Sequence, residues 1–408
     1  MYTYKIGISE KEHDEFLLNN KQCNLLQSSN WAGIKSNWST ERIGFYEDDQ
    51  LVATASLLIK NLPMNFTLIY IPRGPIMDYT DYELVDFVIS SLKEFGKSKR
   101  AIFVKFDPSL FLTRYLVTTD PETNEEEDEV TITLIKFLTR LGVEWTGRTR
   151  DIGQTIQPRI QANIHAKNAD FQLLPKKTKQ AIRTAQNKGI DLTIGGPELL
   201  EDFATLMKKT EDRKGINLRG IDYYRKLMDT YPDDSYITMT SLDLVKRQRE
   251  LTNQLEQAKL AKSKFTDKTK PGKIKETENA IDRFTGEINF LNEHIQTGVT
   301  TAPLAGTLTI VYGKTSENLY AGMDETFRNY QAALLTWYET GQEAFKRGCA
   351  WHNLGGVENN LNGGLYQFKS KLNPTLEEFA GEFNIPVSPL HGPAMLAYNL
   401  RKQIRSKH

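Results

Sequence analysis

Ile274, Ile281, Ile288 and Ile295 recur every seven residues, and Thr277, Phe284 and Leu291 fall three places after the first three of them. A period of 3.5 residues keeps an apolar seam turned toward a partner helix, so the segment is constrained to a coiled coil. The partner lies just upstream. Leu244, Leu251, Ala258 and Phe265 repeat the spacing, Leu255 supports the second seam position, and Lys270-Pro271-Gly272-Lys273 breaks the helix between the two runs. The spacing predicts two antiparallel helices of about 35 Å each, at ~1.5 Å per residue. Such an arm has too little core to stand alone, so it is read as an insertion, residues 242–297, in a larger body. The seam residues themselves need carry no chemistry; a dimerisation or spacer element fits them.

The chain has 408 residues, enough for two to three domains with a sizeable core. Lysine plus arginine equals aspartate plus glutamate at 52 each, so any nucleic-acid contact must come from local patches rather than a global field. Two cysteines, Cys23 and Cys349, cannot make a disulfide framework and fit a reducing compartment as small buried hydrophobes. Met1 to Gly7 has no basic segment leading into an apolar stretch and no run approaches about 18 apolar residues, so the protein is expected to be cytoplasmic and not membrane-spanning.

Short β-rich segments at Leu51 to Ile59, Phe66 to Pro72 and Ala101 to Asp107 read as strands, with a helix through Leu84, Phe87, Val88, Leu92 and Phe95 before the third. Asp120 to Glu129 holds seven carboxylates in ten residues and reads as an exposed loop, followed by a helix from Val130 to Leu141. In the second half, helices are expected from Pro197 to Arg213 and around Tyr223, Tyr224 and Leu227. Strands at Tyr236 to Thr240 and Gly306 to Tyr312 bracket the arm, with a further strand from Asn318 to Gly322. A helix through Leu334 to Phe345 then precedes a strand from Cys349 to Leu354. This mixture gives an α/β or α+β body of two similar units, without a sequence repeat between them.

The densest candidate for chemistry is Trp351 to Lys369, where Gly355-Gly356 and Gly363-Gly364 flank a polar loop that leads into a helix. Its backbone amides could meet an anion and Lys369 adds a full charge, although turning the chain is also a sufficient reason for such a loop. Asp107, before Pro108, stands at a strand end where ligands often bind, but Asp-Pro is also an ordinary turn starter, the reading composition favours. Gln27-Ser28-Ser29 reads as a helix start, with Trp31 and Lys35 on one face and Trp38 seven past Trp31; a solvated lysine accounts for it as well. Lys176, Lys177, Lys179, Arg183 and Lys188, with no acid among them, form a basic helix face suited to phosphates or merely to solvent. The tail cations Arg401, Lys402, Arg405 and Lys407 could touch anionic lipid. The six histidines have no metal-ligand spacing, and no nucleophile triad is visible.

In their order along the chain these pieces resemble the Fem family of non-ribosomal peptidyl transferases, most nearly its MurM-like members. The likeness rests on Gln27-Ser28-Ser29 with Trp31 and Lys35, Ile71-Pro72-Arg73-Gly74-Pro75, Phe106-Asp107-Pro108, Ile156 to Gln161, the arm, Tyr320-Ala321-Gly322 and Leu365-Tyr366-Gln367-Phe368-Lys369. The resemblance implies an α+β fold of two acetyltransferase-like (GNAT-like) domains, residues 1–148 plus 381–408 and residues 149–380, the second interrupted by the arm. It implies transfer of alanine or serine from aminoacyl-tRNA to the side-chain amine of the stem-peptide lysine of lipid II. By position, Lys35, Arg219 and Tyr223 match the group that holds the precursor diphosphate, with Trp38 beside it, and Tyr320 matches a precursor-contacting tyrosine. Phe368 and Lys369 match the pair at the acyl ester, and Asp107 an acidic residue considered for proton transfer.

Aminolysis needs a neutral amine, and an unperturbed aspartate is too weak a base for a lysine ammonium, so Asp107 is read as an orienting group or a base. No acyl-enzyme and no cofactor are needed; acetyl-CoA is not expected, because its phosphate-binding signature is absent. DNA is not an expected partner. Lys176, Lys177, Lys179 and Arg183 are the expected tRNA surface, with the arm as a second contact. The alternatives are transfer onto the soluble UDP-MurNAc-pentapeptide, a non-catalytic scaffold, and a small-molecule acyltransferase.

Overall fold

The computed structural model describes residues 1–35, 37–117 and 127–396. The chain builds two sheets by the same sequence of moves. In the first half, β1 (Tyr2–Ile6) is followed by helices α1 (Glu10–Leu18) and α2 (Ser29–Ile34), then by β2 (Ser39–Glu47), β3 (Gln50–Asn61) and β4 (Thr67–Arg73). Helix α3 (Tyr82–Ser98) then crosses to β5 (Ala101–Pro108). In the second half, β9 (Ile190–Gly195) precedes α6 (Leu200–Lys214) and α7 (Ile221–Thr230), then β10 (Ser235–Asp243), β11 (Thr301–Tyr312) and β12 (Thr315–Met323). Helix α10 (Ala332–Lys346) crosses to β13 (Trp351–Gly356). Each crossover creates a parallel pair, β4 with β5 and β12 with β13; among the described residues the other strand pairs are antiparallel. The two halves are thus topological repeats, although their sequences show no repeat.

The remaining strands tie the halves together. Between β5 and β9 come β6 (Phe111–Leu116), α4 (Glu129–Arg140), β7 (Glu144–Trp145), β8 (Ile160–His165) and α5 (Lys176–Asn187). After β13 come α11 (Gly364–Lys369), β14 (Thr375–Phe379) and β15 (Phe383–Pro386). The sheet orders are β1-β2-β3-β4-β5-β15-β7 and β6-β14-β8-β13-β12-β11-β10-β9. A late strand, β15, therefore completes the first sheet, and an early strand, β6, edges the second. A buried ion pair joins β5 to the chain entering β15, with Lys105 Nζ 2.5 Å from Glu382.

The predicted strands and helices lie within a few residues of the observed ones, including α3, whose Leu84, Val88, Leu92 and Phe95 pack on Ile69, Ile71, Val104 and Phe106. The expected helix start is present, with Ser28 capping α2 by accepting from the Trp31 amide, but the helix ends at Ile34, so that Lys35 caps it and Trp38 lies beyond it. There Lys226, from α7, donates to the carbonyls of Gly33 and Ile34, satisfying the last turn from outside. Trp38 sits beyond it against Ala32, Leu58 and Tyr70. Residues 120–126, most of the acidic stretch, and the tail cations Arg401, Lys402, Arg405 and Lys407 lie outside the described residues.

The arm is α8 (Leu244–Ser263) and α9 (Pro271–Gln296), about 30 and 39 Å long at ~1.5 Å per residue, unequal where equal lengths were expected. The seam forms in the predicted register. Leu244, Leu251 and Leu291 are buried at its base, where Arg247 pairs with Glu287 and Gln248 with Asn292, while Lys262 reaches Glu278 farther out. Among the described residues no helix is long and apolar enough to cross a membrane.

Candidate active site

Gln27 explains why the chain ahead of α2 is built as it is. Its amide donates to the Pro72 and Ser56 carbonyls and its oxygen accepts from the Ser56 amide, which fixes α2 against β3 and β4. A Cβ at Gly74 would lie 2.7–2.9 Å from the Gln27 side chain, so glycine is required there. Ser28 also hydrogen-bonds the Tyr231 hydroxyl at 2.7 Å, and Trp31 and Ile34 enter the core formed by α6 and α7, with Phe203, Tyr224 and Leu227. Helix α2 belongs by sequence to the first half and packs on both halves.

This seating brings Lys35 to the second half. Its ammonium lies 4.8 Å above the Trp31 ring, and burial, with Arg219 nearby, holds its pKa below the usual lysine value. The Arg219 guanidinium covers the Tyr223 ring at 5.1 Å, and Tyr223 meets Tyr320, on β12, edge to face at 6.1 Å. Tyr320 can be there because α6 lies tight on β12. A Cβ at Gly322 would fall 2.9 Å from the Leu206 backbone, so the small residue of Tyr320-Ala321-Gly322 sets that approach. Among the described residues no carboxylate is bonded to either of these two cations, which stand on an aromatic floor, an arrangement chemically suited to an anion. Trp38 stands apart from this group, under the Lys60 ammonium at 5.6 Å.

Lys369 ends α11. It is 6% exposed, its Nζ donates to the Gly356 carbonyl at 2.7 Å, and it lies 5.7 Å from the centre of the Trp337 ring, which Phe368 meets edge to face. Burial draws its pKa down to about 7; Glu358 opposes that shift and Lys214 adds to it. The loop amides that could have met a ligand anion are already used. Glu358 accepts from the Leu365 and Tyr366 amides, so the helix start is capped by the chain's own carboxylate.

Asp107 is not a turn starter. It is 1% exposed at the end of β5, where Oδ1 accepts from the Arg73 amide at 2.7 Å and Oδ2 from the Tyr70 hydroxyl at 3.0 Å. Burial raises its pKa to about 6, against the pull of Arg73. The Arg73 side chain leaves the first sheet for the second, stacking on Phe379 at 4.1 Å and donating to the Pro158 carbonyl at 3.1 Å. Facing it is a polar row on the second sheet formed by Glu317, Asn353, Gln161 and Glu377, a row that sequence reading did not assign. Single polar residues alternating along strands carry no distinguishing pattern until the strands are aligned.

Helix α5 presents Lys176, Lys177 and Arg183 to solvent, and Lys179 is half-buried with its ammonium on the Gln172 carbonyl. The Thr178 hydroxyl, in its first turn, donates to the Lys371 carbonyl at 2.7 Å. The basic face therefore starts beside the segment that carries Phe368 and Lys369.

A profile of the FemAB family matches residues 8–399. The lipid II:glycine glycyltransferase of Staphylococcus saprophyticus is 27% identical, over 93% of this chain and 92% of that protein. The protein of the same name from Staphylococcus aureus (strain MRSA252) is also 27% identical, with the same shares covered. The crystal structure of FemX shares the fold at a TM-score of 0.73 and 24% identity, covering 96% of this chain and 99% of that one. With a match running through both sheets, the arm and the loop that carries Lys369, this chain belongs to the FemAB family.

Proposed function

We infer that the protein is a tRNA-dependent aminoacyltransferase that adds alanine or serine to the side-chain amine of the stem-peptide lysine of lipid II, in the cytoplasm, beginning a branched cross-bridge. The observation that carries this reading is the meeting of Lys35 and Arg219, from different halves, on the Trp31–Tyr223–Tyr320 floor. Two adjacent cations suit a diphosphate, which lipid II supplies. The names of the glycyltransferase relatives support lipid II as acceptor, and the resemblance to MurM-like members supports alanine or serine as the group transferred. In this reading Lys369 stabilises charge developing on the ester oxygens and Phe368 packs at the ester. Asp107, with both oxygens engaged, orients the end of β4 rather than taking a proton.

The donor is an ester and already activated, so the amine attacks it directly. Its acceptor stem would follow α5, whose Lys176, Lys177, Lys179 and Arg183 lead toward Lys369. The test is transfer from aminoacyl-tRNA to lipid II as salt is raised. Charge reversal at the four positions is expected to raise the KM for tRNA and to reduce the logarithmic salt slope by about three, at ~0.7–0.9 per phosphate contact. An unchanged slope would remove α5 from the donor site, and an inactive wild-type protein would refute the function.

A further inference from the structure

Strands β12 and β13 are paired only from Thr315 to Glu317, opposite Trp351 to Asn353, and separate beyond. Glu317 is the last paired residue, at the mouth of the wedge. Its Oε2 accepts from Asn353 Nδ2 at 2.6 Å, and Asn353 Oδ1 accepts from the Gly355 amide at 2.7 Å. The next carbonyl, that of Gly356, receives the Lys369 ammonium at 2.7 Å. Three hydrogen bonds thus set Glu317 in relation to Lys369, and Tyr320 lies three residues along the same strand. Among the described residues Asn353 alone hydrogen-bonds this carboxylate, which leaves Oε1 for a ligand. Asp107 offers no such free oxygen.

We propose that Glu317 is the proton acceptor for the attacking amine, an assignment that rests on the aminoacyl-transfer reading above. The acceptor ammonium gives one proton to Glu317 Oε1, and its nitrogen forms the new bond to the ester carbonyl carbon. The carbon–oxygen bond to the ribose then breaks, the nitrogen's second proton goes to the ribose oxygen, and Glu317 releases its own to solvent. One ammonium and one ester become one amide, one ribose hydroxyl and one proton.

The surroundings suit that task. Burial raises the Glu317 carboxyl to about 7; Arg73 from β4 opposes the shift and Glu377 from β14 reinforces it, while Glu377 itself is engaged by His165 and Asn163. A base in this range is matched to neutral pH, unlike a free carboxylate.

Glu317→Gln keeps the shape and can still accept from Asn353; Glu317→Asp withdraws the carboxylate by one methylene. At pH 7 the glutamine variant is expected to lose about 10²–10⁴-fold in kcat with the KM for lipid II unchanged. The loss should narrow toward pH 10, as solvent delivers the free amine, with the aspartate variant intermediate. Thermal unfolding checks that each variant is folded, and Glu317→Asp carries the test if the glutamine variant is not. An active wild-type protein whose variants keep its kcat and pH profile, or lose only lipid II affinity, would overturn the role of Glu317 alone. A wild-type protein inactive with these substrates would overturn the transfer reading and this assignment together.

Discussion

Lys369→Met is expected to abolish measurable transfer, a loss of at least a hundred- to a thousandfold, while lipid II binding stays nearly intact and the protein becomes more stable below pH 7. Removing a charge aimed at a developing oxyanion typically costs about that much in kcat. The stability effect follows from burial. The folded pKa of Lys369 lies near 7, well below its ordinary 10.5. Between those values the unfolded chain holds a proton that the folded chain lacks, so stability rises with pH across the window and the full penalty applies below it. That penalty is at most about 5 kcal/mol, and methionine removes it. The substitution also strands the Gly356 carbonyl, which offsets about 1–3 kcal/mol. Denaturant unfolding at pH 6 and pH 10 should therefore show a stabilised variant at pH 6 and a smaller difference at pH 10. Persisting transfer would remove Lys369 from the reaction, and equal stability at both pH values would mean that its charge is not desolvated.

Lys35→Ala and Arg219→Ala are each expected to raise the KM for lipid II by about 10–100-fold, the equivalent of one charge-assisted hydrogen bond worth ~1.5–3 kcal/mol. The KM for aminoacyl-tRNA should not move. Among the described residues neither has an acidic partner, and each opposes the other's charge, so removing one relieves repulsion and should not destabilise the fold. Steady-state kinetics with each substrate varied in turn decides the matter. A parallel rise in both KM values would place these cations at the donor rather than at the diphosphate.

Much of this architecture is legible in the residues, because periodicity reports directly on which face is buried. The seam of α8 and α9, the α3 stripe and strands β3 to β5 follow that rule. What escapes it is information held between distant segments. Nothing local to Phe383–Pro386 says that it completes the first sheet beside Ala101–Pro108, or that Phe111–Leu116 edges the second. The same limit governs the site. Asp107 reads as a turn starter because its partners, the Arg73 amide and the Tyr70 hydroxyl, lie more than thirty residues away. Glu358 sits in a loop that looks ready for an external anion, yet it supplies that anion itself. Glu317 has no local signature; only the point where β12 and β13 diverge distinguishes it. The pieces of the family pattern, in contrast, are physical necessities of one joint. Gln27 excludes any side chain at position 74, Ser28 caps α2, and Gly322 admits α6. Their order along the chain is therefore informative where each alone is not.

The transfer claim is tested most directly by the mass of lipid II after incubation with purified protein and either a mixed aminoacyl-tRNA pool or acetyl-CoA. The account predicts a gain of one alanine or serine on the stem-peptide lysine with the tRNA pool and no gain with acetyl-CoA. An acetylated product, or lipid II unchanged by both donors, would contradict it.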